Sequence, residues 1–234
     1  QNLLANELNS GVQANAFTQG VAVAMNPQNG EILAMVSTPS YDNNMFVRGI
    51  TQPELDALNK DDRHPLVNKA VGEIYPPGST FKLVTALAAL TTGTATRNTV
   101  VNVNTLSINV GGTLFFDWRV HGPLNLVDGF AHSSDIYFYT LAGGSPLSSV
   151  QGVGPDNIAK YGRMLGFGAP TGIDLPGEAA GIMPDPAWKE RTIGEPWSIG
   201  NTYHEAIGQG YVAVTTLQLL NAYAAVANGG TPYV

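Results

Sequence analysis

The chain has no cysteine. That excludes disulfides, thiolate zinc sites and cysteine nucleophiles together, and it suits an extracytoplasmic protein without requiring one. Charge is scarce as well: 12% of residues are charged, about half the usual share. Eleven Lys and Arg stand against eighteen Asp and Glu, for a net charge of −7 and a pI near 4.9. So few cations leave no basic stripe for a phosphate backbone, so no nucleic acid is expected as a partner, and attraction to a membrane surface is equally unsupported. No apolar run is long enough to span a bilayer and no signal peptide is visible. The expectation is that a natural anchor, where there is one, precedes residue 1.

What the chain does have is 44% apolar residues, 27 glycines and 15 prolines in 234 residues. That is enough to bury a sizeable core, and it describes a compact, loop-rich protein rather than a disordered one. A helical lead-in over 1–19 and one domain over 20–234 are expected.

The stretch around which the rest is organised is Pro76-Pro77-Gly78-Ser79-Thr80-Phe81-Lys82 and the apolar run after it. Two prolines and a glycine cannot continue a helix, so a helix is predicted to start at Ser79 and to run to Thr91-Thr92-Gly93. Its apolar residues fall on nearly every side, which predicts burial, and Lys82 is its only charge. By spacing alone S-x-x-K says little: it arises about once by chance in a chain this long, and an N-cap serine with a snorkelling lysine is the ordinary reading. Context changes the weighing. Three residues apart on a helix, Ser79 and Lys82 share a face, so the amine is expected to reach the hydroxyl. Apolar surroundings disfavour a charged lysine and leave an amine able to accept a proton. Ser79 at the positive end of the helix favours an alkoxide, and its N–H is placed to bind a developing oxyanion.

Elsewhere the pattern predicts a short helix over 1–10 that stops at Gly11, and a β-hairpin of strands 21–25 and 31–37 about an Asn-Gly turn. A long loop over 38–52 and a short helix over 53–59 follow. Alternation across 100–116 predicts a second strand pair about Asn109-Val110-Gly111-Gly112. One helix is expected over 126–142, another over 155–165, and a last one capped by Thr215 or Thr216 and stopped at Asn228-Gly229-Gly230.

Acyl transfer by serine needs a second proton handler, because the leaving amine must be protonated. Ser133 beside Asp135 is a candidate relay and substrate contact, although local sequence alone reads as a helix cap.

Together these segments resemble the transpeptidase domain of class B penicillin-binding proteins, most closely the elongation-type penicillin-binding protein 2 group. The matching residues, in the family's order, are Pro76 to Lys82; Ser133-Ser134-Asp135-Ile136-Tyr137-Phe138-Tyr139; Gly166-Phe167-Gly168; and Thr171-Gly172-Ile173-Asp174-Leu175-Pro176-Gly177-Glu178. Trp188-Lys189, Ile207-Gly208-Gln209-Gly210-Tyr211 and Ala227-Asn228-Gly229-Gly230 follow.

The resemblance implies an α+β fold of the penicillin-binding protein and serine β-lactamase type, with a central, mainly antiparallel sheet flanked by helices and the Ser79 helix buried. It implies that Ser79 is acylated by D-Ala-D-Ala stem peptides or β-lactams, that Lys82 is its base, that Ser133 relays the proton, and that Asp135 binds substrate. Asp135 stands where most of the wider superfamily has asparagine, and an ionised carboxylate accepts hydrogen bonds but cannot donate them. No cofactor is implied. Implied partners are peptidoglycan, β-lactams, a lipid II glycosyltransferase and elongation-complex proteins, at the extracytoplasmic face of the bacterial cytoplasmic membrane. The family's Lys-Thr-Gly motif does not occur before the chain stops at Val234. The C-terminal part of the fold is therefore expected to be missing, and with it an oxyanion donor and a cation for the substrate carboxylate.

Two rivals keep part of this chemistry: a hydrolytic relative (β-lactamase or D,D-carboxypeptidase), for which no deacylating base is visible, and a β-lactam or muropeptide sensor or scaffold without turnover. Asp117, His121 and His132 are expected to play a structural role rather than to bind a metal. Trp118, Trp188 and Trp197 are read as packing or rim residues.

Overall fold

A computed structural model describes residues 1–233. They form two compact units: Gln1–Tyr75 with Ala169–Ala180 and the segment from Val214 on, and Pro76–Gly168 with Gly181–Ala213.

The first unit opens with α1 (Asn2–Ala14), which runs through Gly11 rather than stopping there. A mid-helix glycine costs about 1 kcal/mol against alanine, and α1 offsets it by packing on the hairpin of β1 (Gly20–Met25) and β2 (Ile32–Thr38). The fit is close at Gly20, where a Cβ would lie 2.7 Å from Val12 and 2.9 Å from Leu8. β1 and β2 pair antiparallel as expected, Gly20 opposite Thr38, and among the described residues their sheet has two strands. The predicted loop that follows is interrupted by a short helix, α2 (Asn44–Val47). α3 (Gln52–Lys60) starts at a Thr51/Glu54 capping box, and α4 (Lys69–Gly72) buries Lys69, Ala70 and Val71.

The second unit begins with a 3-10 turn over Gly78–Phe81 that leads into α5 (Lys82–Thr91). Four short strands follow: β3 (Val101–Val103), β4 (Ser107–Val110), β5 (Thr113–Phe116) and β6 (Gly122–Leu124). β4 and β5 form the expected hairpin across Gly111 and Gly112, both at positive φ as a tight two-residue turn requires. β3 pairs with β6 instead, an antiparallel match that alternation within 100–116 did not reveal.

The helix predicted over 126–142 is two, α6 (Leu126–Ala131) and α7 (Asp135–Gly143). α8 (Pro155–Met164) is as expected. α9 (Pro186–Ile193) and α10 (Ile199–Ala206) were not anticipated, although Asp185 and Ser198 cap them through ordinary N-cap bonds. The core of this unit packs α5 and α7 against the strands and α10, with the Phe115 ring 4.8 Å from that of Tyr203 and perpendicular to it.

α11 (Thr216–Ala227) returns to the first unit behind a Thr215/Gln218 capping box. Gln218 Nε2 donates to the carbonyls of Ala169 and Ala180, and the Glu178 carboxylate accepts from the N–H groups of Thr171 and Gly172 and from the Thr171 hydroxyl. These bonds close the 169–180 segment on itself and against α11. They give the Thr171 to Glu178 motif a structural role.

Candidate active site

The turn that carries Ser79 is built by close backbone approach. Gly78 N–H donates to the Gly208 carbonyl at 2.9 Å, and a Cβ on Gly208 would lie 2.3 Å from the Gly78 oxygen and 2.6 Å from Phe81 Cβ. Gly208 also sits at φ +71°, so an alanine there meets both backbone and strain. Gly208→Ala should cost about 1–3 kcal/mol and shift the Ser79 turn. Thermal melting and the rate of β-lactam acylation would both register the change.

Ser79 lies in the 3-10 turn, one turn ahead of the α-helix that was predicted to start with it. Side chains three apart eclipse one another in such a turn, so Ser79 and Lys82 still share a side. The expected contact between them is not made. Ser79 is exposed, and among the described residues its hydroxyl has no hydrogen-bond partner. Lys82 is buried, 1% exposed, but its amine is not left in apolar surroundings. Nζ donates to the Ser133 carbonyl at 2.7 Å, to Ser133 Oγ at 3.0 Å and to Asp135 Oδ1 at 2.6 Å. An ammonium has three donors, and each has an acceptor here. The Phe138 ring, 5.5 Å away, closes one side.

These acceptors reach Lys82 because the chain breaks between α6 and α7. α6 ends at Ala131 with His132 as its C-cap, Ser133 takes φ +50°, and Ser134 caps α7 by accepting the Tyr137 N–H. Asp135 falls in the first turn of α7, where the helix dipole favours an anion. Three of the four residues singled out from the sequence, 51 to 53 positions apart in the chain, thus meet at one amine.

The family model described as "Penicillin binding protein transpeptidase domain" matches residues 20–234. The chain belongs to the penicillin-binding protein transpeptidase family. It is 38% identical over 222 residues, 94% of its length, to the peptidoglycan D,D-transpeptidase MrdA of Acinetobacter baumannii, of which it covers 32%. Among solved structures, the penicillin-binding protein PBP2 of Helicobacter pylori in complex with MreC superposes with a TM-score of 0.84 at 34% identity, covering 97% of this chain and 41% of that one. PBP2 of Pseudomonas aeruginosa in complex with WCK 5153 gives 0.84 at 34%, covering 96% and 49%. The chain spans about a third of the length of the curated relative it matches.

Other residues singled out from the sequence make their contacts away from the Lys82 amine. Lys189 is buried, its Nζ donates to the Pro196 carbonyl and Asn201 Oδ1, and the Trp188 ring packs 5.4 Å from Tyr211. Trp197 Nε1 donates to Thr202, and Trp118 is exposed, with its indole N–H on the His132 carbonyl. Asp117, His121 and His132 do come together: His121 Nε2 is 3.2 Å from Asp117 Oδ1, and the imidazole rings are 5.6 Å apart. Among the described residues no group of three or more His, Asp or Glu side chains is placed to hold a metal.

Sequence reading passed over Glu205. It is 1% exposed on α10, and among the described residues neither carboxylate oxygen has a hydrogen-bond partner. Burial holds its pKa well above the ordinary carboxylate value; the charges of Asp185 and Asp156 add to the effect and Arg163 partly offsets it. Its helical spacing with Ile199 and Thr202 was available in the sequence, but an acidic residue in a short segment reads as exposed.

Proposed function

We propose that the chain carries the acylation half of a peptidoglycan D,D-transpeptidase. The observation that carries this reading is the Lys82 amine held by Ser133 and Asp135, one turn from an exposed, unbonded Ser79. Ser79 Oγ attacks the penultimate D-alanine carbonyl of a stem peptide as the Lys82 amine, which has first given one proton to solvent, takes the hydroxyl proton. The tetrahedral oxyanion forms at the start of the Ser79 turn, where backbone N–H groups and the helix dipole favour it. On collapse the C–N bond breaks, and the leaving D-alanine amine receives its proton along Lys82 Nζ and Ser133 Oγ, which are 3.0 Å apart. An acceptor amine from a second stem peptide then takes the acyl group by the reverse path. Asp135 holds Lys82 and borders the substrate. A β-lactam enters the same first step, but its amine stays tethered and the ester persists.

The enzyme works at the extracytoplasmic face of the bacterial cytoplasmic membrane, anchored by a segment outside these residues. Among the described residues no helix is long and apolar enough to cross a membrane. A lipid II glycosyltransferase and other elongation-complex proteins are its partners. The Helicobacter pylori relative solved in complex with MreC supports assembly of that kind.

The test is incubation of the longest natural form of the protein with a D-Ala-D-Ala pentapeptide and an acceptor peptide, followed by mass spectrometry. Cross-linked product with stoichiometric D-alanine release is expected. Hydrolysed tetrapeptide alone would point to a carboxypeptidase, and saturable binding without D-alanine release to a sensor.

A further inference from the structure

Ser133 is the only non-glycine residue in the second unit, among those described, with a positive φ. Such a conformation is strained for a residue with a Cβ and persists only where neighbours over-determine it. Here it serves a purpose, because it turns both the carbonyl and the hydroxyl of Ser133 onto Lys82. On the α6 side the Ser133 and Ser134 N–H groups donate to the Phe130 and Gly129 carbonyls, both at 3.0 Å, and end that helix; the α7 side is held by Asp117.

Asp117 follows β5, and its side chain is fully buried. Oδ2 accepts the Ser134 hydroxyl at 2.6 Å and the Ile136 N–H at 3.0 Å. Oδ1 accepts the Trp118 N–H at 2.8 Å and faces His121 Nε2 at 3.2 Å, while the Asp117 N–H is fixed to the Leu106 carbonyl at 2.8 Å. One carboxylate therefore satisfies an orphan N–H of the α7 terminus and grips the residue next to Ser133. It is tied at the same time to the hairpin that carries it. Buried charge-assisted bonds of this kind are the strong ones. Ser134 transmits the grip: its oxygen accepts the Tyr137 N–H while its proton goes to Asp117.

We propose that Asp117, acting through Ser134, is a positioning residue that keeps Ser133 turned onto Lys82. This rests on the function proposed above and names a further part of the same site. Asp117 touches no reacting atom, and its contribution is the placement of the proton relay.

The test is a double-mutant cycle on acylation by benzylpenicillin, using the longest natural form of the protein. Ser134→Ala removes one hydroxyl and leaves every charge in place. It should lower the acylation rate constant by about tenfold to a hundredfold, since small misplacements of catalytic groups cost that much. The dissociation constant of the initial non-covalent complex should stay within about twofold, because only the proton-relay step is misplaced. In a Ser133→Ala background the same change should cost nothing further, because the group it positions is gone. Ser134→Thr, which keeps the hydroxyl, should restore the rate. Asp117→Asn should behave like Ser134→Ala or worse; where it fails to fold, the Ser134 variants decide. A wild-type rate in Ser134→Ala, or equal losses in both backgrounds, would overturn the inference and leave the proposed function standing. No adduct on the wild-type protein would overturn both.

Discussion

Lys82→Met should yield a folded protein whose acylation by benzylpenicillin is about a thousandfold slower, within the range that a positioned general base contributes. Methionine matches the length of the lysine stem, and at 1% exposure that stem is what fills the site beside Phe138. The substitution removes the ammonium from three acceptors, but the cost in stability is limited. The Asp135 side chain is a quarter exposed and can take water in place of Nζ, which softens the penalty of removing one partner of an ion pair. Lys82→Arg supplies the control. It keeps the positive charge for Asp135 and Ser133 but has no basic lone pair to take a proton. Comparable slowing in both variants assigns Lys82 the role of base; near-wild-type acylation in Lys82→Arg would make it a counter-ion.

The second large effect concerns stability. Glu205→Met should stabilise the protein at neutral pH by about 1–3 kcal/mol, the cost of leaving a buried polar group unpaired. In a chain of this size that is about 2–4 °C of melting temperature per kcal/mol. The sign follows from linkage. The folded-state pKa of Glu205 is raised, so below the unfolded value of about 4.3 both states hold the proton and nothing is lost. As pH rises above that value the unfolded chain releases its proton first, and stability falls until the folded pKa is passed. The facing charges are Asp185, ahead of α9, and Asp156 and Arg163 on α8; the charges of α5 and α7, Lys82 and Asp135, are paired with each other. Melting curves from pH 4 to 9 should therefore show a wild-type decline with pH that Glu205→Gln lacks, with Glu205→Met above both at the alkaline end. Parallel curves for wild type and Glu205→Gln would show that Glu205 does not titrate in this way.

Much of the local structure was legible. The Asn26 to Gly30 turn, the Gly111-Gly112 hairpin and the Thr215 cap each follow from residues that permit few alternatives, and each forms where expected. Two failures were instructive. The apolar run over 126–142 reads as one helix because its periodicity is continuous. At the break, the Ser133 and Ser134 N–H groups turn back to the Phe130 and Gly129 carbonyls, and the start of α7 is met by the Asp117 carboxylate, 17 to 19 residues earlier in the chain, which no local pattern reports. Likewise, spacing joined Ser79 to Lys82, but it could not show that the partners of Lys82 come from 51 and 53 residues on. Glu205 was missed because its burial is set by tertiary packing against sequence expectation. The site was legible as a set of residues, and its geometry required the fold.

With Ser79 as the nucleophile, incubation with benzylpenicillin adds the mass of one opened β-lactam to the intact protein. The experiment should use the longest natural form of the protein and its Ser79→Ala variant. A single stable adduct is expected, mapping by peptide digestion to Ser79 and absent from Ser79→Ala. An adduct that persists on Ser79→Ala, or none on the wild-type protein, would contradict it.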